Sequence, residues 1–276
     1  MRAFSPGYPL TQYALSIAGA KLRPIPVDLQ GIDVSAAIRI APKAIAAVVT
    51  PSHQFPTGVV LSMARRLELL VWARETGAWI IEDDYASEFR YSGRPLASLQ
   101  GLDDCDRVIY FGTLNKTPGL RIGYAVVPPL LLKAFTSARC LMDRQPPALQ
   151  QSVLAEFMHE GYFAAHIRRL RLAYRDQRDL LVAELSLRVH VDLTTEAPDQ
   201  GMYLVANLRQ GLRDIAVEEA ARRNGLVVRA MSRLYKKAAP RSALMLGFSG
   251  YPPQLVVPAA ARLARVLRVQ KRTGAQ

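Results

Sequence analysis

Cysteine is scarce in this sequence: Cys105 and Cys140 are the two among 276 residues. They are too few for a disulfide framework and too far apart for a CxxC motif, so both are read as reduced thiols. Histidine is hardly more frequent, with four copies, and none sits in a metal-ligand spacing; no metal is expected. His53 is read as a loop histidine with a supporting role near a site, and His159, His166 and His190 as bystanders. No apolar run reaches the roughly 18 residues that cross a bilayer as a helix. The opening MRAFSPGYPL lacks both an apolar stretch behind a basic head and a small-residue cleavage site, so no secretory signal is read and the expected location is cytoplasmic.

Acid is also in short supply: 23 Asp and Glu stand against 36 Lys and Arg, a formal charge of +13. Such a balance raises nucleic acid as a partner. Much of the excess, however, lies in HIRRLRLAYRDQRD (166–179), at helical spacing with Leu170, Leu172 and Tyr174, and in the closing RVLRVQKR. That pattern is read as a solvated basic helix face. With no aromatic RNA-binding signature, no C2H2 spacing and no clear helix-turn-helix, this segment is not expected to bind nucleic acid directly. An anionic cofactor or substrate would benefit from the same field.

What is present is hydrophobic residue, half of the chain, arranged in a rhythm. IAAVVT (45–50) reads as a buried strand, SMARRLELLVWARETG (62–77) as an amphipathic helix capped by Ser62 and closed by Gly77, and AWIIEDD as the next strand. RVIYFGT and RIGYAVVP add two more strands, and Pro128 and Pro129 open a helix through LLLKAFTSARCLM. A largely parallel sheet with helices on both faces fits this order. Beyond about residue 145 come the helix QPPALQQSVLAEFMHEGY and a longer amphipathic one over 163–187 that can bridge two lobes. VHVDLT, GMYLVANL, a helix through DIAVEEAARRNG, LVVRAMS, SALMLGFS and a helix from about Pro252 to Arg272 then read as a smaller α+β unit. The expected division is 1–160 for a large domain and 161–276 for a small one entered by the long helix.

In an open parallel sheet ligands gather at the carboxyl ends of strands. Three such ends are rich in polar groups: TPSHQFPTG (50–58), EDDYASEF (82–89) and GTLNK (112–116). Consecutive strand residues point to opposite faces, so Glu82, Asp83 and Asp84 cannot converge on one cation, whereas Asp83 and Tyr85 share a side. A carboxylate and a phenol facing a lysine, Lys116, from a neighbouring strand suit an aromatic pyridine aldehyde. The acid keeps the ring nitrogen protonated, the phenol bonds the ring hydroxyl and the amine forms a Schiff base. Each residue has a plainer reading: Lys116 a surface charge, Asp83 a cap for a helix starting near Ser87, Tyr8 a core aromatic, Thr113 a turn residue, Arg121 half of a surface salt bridge.

Taken together, PSHQFPTG, IIEDDYASEFRY, VIYFGTLNK, LRIGY and HIRRLRLAYRDQRD resemble the aminotransferase-like domain of MocR/GabR-type transcription regulators. That domain belongs to the class I/II, fold-type I group that binds pyridoxal 5'-phosphate (PLP). The resemblance runs from about Pro6 to the last helix. It implies an α/β fold with a mostly parallel large domain and a smaller α+β C-terminal domain. It also implies an internal aldimine at Lys116, a pyridinium partner at Asp83, a ring-oxygen contact at Tyr85, a stacking aromatic at Tyr8 in SPGYP, and phosphate contacts from Thr113 and Arg121, the last through a bidentate fork. The implied ligand is an amino acid or similar small amine. A carboxylate-binding arginine is implied in the small domain, with Arg229, Arg233 and Arg241 as candidates, and the implied assembly is a homodimer.

Two departures from the family pattern stand out. The family reads GTFSKTLFPGLRLGY where this chain reads GTLNKTPGLRIGY, so Arg121 follows Lys116 by five positions instead of seven, and phosphate affinity is expected to fall. The regulator family also carries a winged-helix domain and a Gly-Ser-type phosphate loop before this region, and the sequence is read as starting after both. The expected role is therefore the effector-sensing half of such a regulator. The alternatives are a stand-alone PLP-dependent aminotransferase and a remnant that binds nothing.

Overall fold

The computed structural model describes residues 3–4, 7–114, 121–209, 211–235 and 242–273. Lys116 and Arg241 lie outside the described residues, as do the last three positions of the closing KRTGAQ. The chain opens with β1 (Ala3–Phe4), α1 (Pro9–Ile17, with Tyr8 as its N-cap), β2 (Pro24–Ile25), β3 (Val27–Asp28), β4 (Gly31–Ile32) and α2 (Val34–Ile40). β1 pairs with β2 and β3 with β4. α2 starts where Asp33 accepts a hydrogen bond from the Ala36 amide, an N-cap that satisfies one of the orphan donors of the first turn.

The rhythm read from the sequence then appears. β5 (Ala46–Val49) stands at one end of its sheet and is nevertheless buried throughout, as a parallel strand covered on both faces is. α3 (Met63–Thr76) is capped by Ser62, which accepts from Arg65, and ends at Gly77 in the left-handed conformation, φ 67°, that closes many helices. β6 (Trp79–Asp84), the short α4 (Leu99–Leu102) and β7 (Val108–Thr113) follow. β5, β6 and β7 are parallel neighbours, and β8 (Gly123–Val126) turns back antiparallel on β7 with Thr113 opposite Gly123. β8 is the edge of the sheet opposite β5. The core under this sheet joins Ile25, Ile32, Val49, Leu61, Leu69, Trp72, Ile80 and Val108.

The second half is helical before it is a sheet. α5 (Pro129–Asp143) has no buried residue, and α6 (Ala148–His159) buries Leu154. α7 (Tyr162–Val189) is the long helix and does bridge: Tyr174 packs against Phe89 with ring centroids 5.1 Å apart, while Leu181, Leu185 and Val189 enter a second core. Its arginines are not all solvated, as the sequence reading had them. Arg171 donates to the Glu88 carbonyl, and Arg178 donates to the Pro198 carbonyl and lies 4.8 Å over the Tyr91 ring. β9 (Leu193–Thr195), β10 (Tyr203–Leu208), α8 (Asp214–Arg223), β11 (Arg229–Ala230), a single 3-10 turn and β12 (Ala243–Gly247) complete an antiparallel sheet in the order β11-β12-β10-β9. α9 (Pro253–Thr273) packs on α7 and α8. One face of this sheet feeds the second core through Leu204, Ala206, Leu244 and Leu246. Alternation puts Tyr203 and Met245 on the other face, where they meet Phe55 in a third, small cluster at the seam between the two cores.

Candidate functional site

The carboxyl ends of β5 and β6 meet the small sheet at this seam. The loop after β5 is fixed from within: the Gln54 side chain accepts from the Thr57 amide and hydroxyl, and its own NH2 group donates to the Phe55 carbonyl. From outside it is fixed by Arg66 of α3, 1% exposed, whose guanidinium donates to the carbonyls of Leu61, Ala97 and Pro51 at 3.0, 2.8 and 3.1 Å. Sequence reading had no reason to single out Arg66, because an arginine on an amphipathic helix normally faces water. Burial lowers its pKa, with Glu82 and Asp84 opposing that shift.

The three acids of β6 separate as strand alternation requires. Glu82 is fully buried on the far face and accepts from the Leu99 and Gln100 amides at 3.0 and 2.9 Å, capping α4; burial still raises its carboxyl above the ordinary value. Asp84, on the same face, accepts from the Ser87 amide at 3.0 Å and from the Tyr110 hydroxyl at 2.8 Å. Asp84, not Asp83, therefore takes the local capping role near Ser87. Asp83 is half-buried on the opposite face and lines a small pocket with Gly7, Tyr8, Gln12, Thr50 and Phe55. Tyr8 is 42% exposed and meets Phe55 edge-on at 5.3 Å. Two sequence-read residues, Tyr8 and Asp83, are thus brought to one pocket.

Tyr85 follows Asp83 on the same side, but its hydroxyl is engaged in the seam. It donates to the His53 carbonyl at 2.7 Å, lies 2.9 Å from His53 Nδ1 and stands 3.4 Å from the Tyr203 hydroxyl. Burial pushes the Tyr85 phenol well above its ordinary value, and does the same to Tyr203. Tyr203 was missed in the sequence; its signal was an aromatic at a strand start facing away from the apolar face of GMYLVANL. Thr113 ends β7, and the Leu114 amide bonds the Ile122 carbonyl, which draws the two ends of the intervening segment together. Arg121 is exposed, has a left-handed φ of 51° that side chains rarely adopt, and has no ion pair among the described residues.

The donor set fits a pyridine ring, with a carboxylate and an aromatic side chain on one pocket at the strand ends. Among the described residues no group of His, Cys, Asp or Glu is arranged to hold a metal. A larger cavity of about 550 Å³ adjoins the seam, sharing Tyr203 and Met245 and lined further by Arg229, Gly247, Tyr251 and Leu255. Arg229 pairs with Met245 across β11 and β12, whereas Arg233 is committed to Glu218 at 2.6 Å and Glu219 at 3.2 Å.

Residues 3–254 match the family described as aminotransferase class I and II. The chain is 41% identical over 251 residues to the probable rhizopine catabolism regulatory protein MocR of Rhizobium meliloti, which covers 90% of this chain and 50% of that protein. It is 35% identical over 247 residues to the HTH-type transcriptional regulator YdeL of Bacillus subtilis (strain 168), covering 89% and 53%. Among solved structures it superposes on an archaeal alanine:glyoxylate aminotransferase with a TM-score of 0.89 and 29% identity, over 97% of this chain and 69% of that one. The chain spans about half the length of the two regulators. The architecture is that of fold-type I PLP-dependent aminotransferases, and the resemblance to the aminotransferase-like part of MocR/GabR-type regulators is borne out.

Proposed function

The chain belongs to the aminotransferase class I and II family, and from that premise we propose that it is the PLP-binding, effector-sensing half of a MocR/GabR-type transcription regulator. The observation that carries this reading is the sorting of the β6 acids. Glu82 and Asp84 are consumed by backbone and phenol partners, and Asp83 is held toward the pocket that Tyr8 lines. In this reading PLP, when bound, supplies an electrophilic carbonyl on an electron-withdrawing ring. Asp83 holds the proton on its ring nitrogen, Tyr8 covers the ring, Tyr85 faces the ring oxygen, Thr113 and Arg121 bind its phosphate, and Lys116 is the amine that holds it covalently.

The ligand in this reading is an amino-acid-like amine, with its carboxylate on Arg229. That choice among the candidate arginines is supported by the commitment of Arg233 to two glutamates and by the place of Arg229 beside Met245 on the cavity at the seam. The large and small domains divide near residue 160, as suits two separate cores. The chain pairs with a second copy, resides in the cytoplasm and leaves DNA contact to a winged-helix domain.

The test is a titration of the purified protein with PLP. A visible absorption band is expected that Lys116→Ala removes; identical spectra for wild type, variant and free cofactor would refute the reading. Amino-group transfer from a panel of amino acids then separates a turnover enzyme from a sensor, which exchanges the ligand without net conversion.

A further inference from the structure

His53 is 1% exposed, wedged where a Cβ on Gly201 would lie 2.6 Å from its ring and one on Gly58 3.3 Å away. Gly201 has a φ of 94°, so glycine serves there both for conformation and for space. Two hydrogen bonds join His53 to Tyr85. A phenol has a single proton, and here it is directed at the His53 carbonyl. The 2.9 Å approach of His53 Nδ1 to the same phenol oxygen is then attractive only if Nδ1 carries the ring's proton. The other nitrogen agrees, because Nε2 is buried and has no hydrogen-bond partner among the described residues, so a proton there would be a stranded donor.

We propose that His53 is a positioning residue: as the neutral Nδ1–H tautomer it clamps the Tyr85 hydroxyl, so that Tyr85 meets a ligand oxygen as a hydrogen-bond acceptor and not as a donor. This rests on the PLP-binding reading for the identity of the ligand, but not for the tautomer. It also reverses the simple expectation that the phenol donates: an oxygen facing Tyr85 has to bring its own proton. Among the described residues, Tyr85 and Tyr203 are the titratable groups packed against the imidazole, both with strongly raised pKa values, so neither supplies a charge that would hold an imidazolium. Burial lowers the imidazole pKa to about 4, which keeps the ring neutral at ordinary pH.

Nitrogen-15 NMR of the cofactor-free protein reads the tautomer directly. His53 is expected as Nδ1–H, with shifts constant from about pH 5.5 to 8; an Nε2–H tautomer, or protonation within that range, overturns the proposal whether or not PLP binds. PLP titration supplies a second arm. His53→Leu should weaken cofactor affinity about tenfold, while His53→Asn, whose amide nitrogen takes the place of Nδ1, stays within about threefold. In a Tyr85→Phe background the His53→Leu effect should vanish, because the residue acts through that hydroxyl. Equal losses in Leu and Asn variants, or additive losses with Tyr85→Phe, would overturn it. A wild type that binds no PLP defeats the proposed function and leaves the NMR arm to decide the tautomer.

Discussion

Three consecutive carboxylates acquire three different environments because a strand gives neighbouring side chains opposite faces and its end gives them different neighbours. Glu82 finds two amides at the start of α4, Asp84 finds an amide and a phenol, and Asp83 is turned to the pocket at the seam. Substitutions at Asp83 and Asp84 should therefore separate. Asp83→Asn is expected to lower PLP affinity by tenfold or more, since it removes a charge suited to the ring nitrogen while keeping the shape of the side chain. Asp84→Ala is expected to cost about 2 kcal/mol of stability, because it strands the Ser87 amide and takes from the Tyr110 hydroxyl its carboxylate acceptor. Urea unfolding and cofactor titration on both variants check this; the reverse assignment of the two losses would show that Asp84 is the functional acid.

At the scale of elements, the loop after β5 depends on a residue outside it, in the first turn of α3. Arg66 ties α3 to the carbonyls of Pro51 and Leu61 at the two ends of that loop and to Ala97 before α4. Arg66→Met keeps the volume but takes the guanidinium donor from the Leu61 and Ala97 carbonyls and one of two donors from Pro51, an expected loss of roughly 2 kcal/mol. Hydrogen exchange should rise first over residues 51–61, since the clamp on that loop is the contact removed. Uniform exchange across the sheet would contradict that local role. This arrangement also marks where the sequence stopped being legible. Ser62, Gly77 and the alternation of WIIEDD are local signals, and α3 and β6 form where those signals put them. Arg66 becomes buried through partners up to 31 residues away, which periodicity does not encode. The opening elements β1 to β4 are two residues each and offer no period to read. β8 was read as a strand, but its reversal relative to β7 depends on how Thr113 and Gly123 are brought opposite each other. Of the site, Asp83 and Tyr8 followed from alternation and resemblance, whereas the place of Tyr203 in GMYLVANL marks its face of the strand but not its reach across the seam to His53 and Tyr85.

For the whole molecule, surface area is the telling quantity. A folded monomer of this mass exposes roughly 11,800 Å², and this chain exposes 15,724 Å². Exposed apolar side chains are dense just after β7: β8 is exposed along its length at the sheet edge, α5 has no buried residue, and Leu130, Leu141, Met142 and Leu149 are 77%, 88%, 80% and 77% exposed. Apolar patches of this kind associate in water, and an edge strand adds unpaired backbone groups to the same face. The isolated chain is therefore expected to sediment as a dimer or larger species at micromolar concentration, with the paired substitution Leu141→Glu and Met142→Glu shifting it toward monomer. Because neither side chain is buried within the chain, the variant should unfold at nearly the wild-type midpoint, which separates loss of association from loss of fold. A wild type that sediments as a monomer and leaves a hydrophobic dye dark would mean that this face is covered within the chain itself.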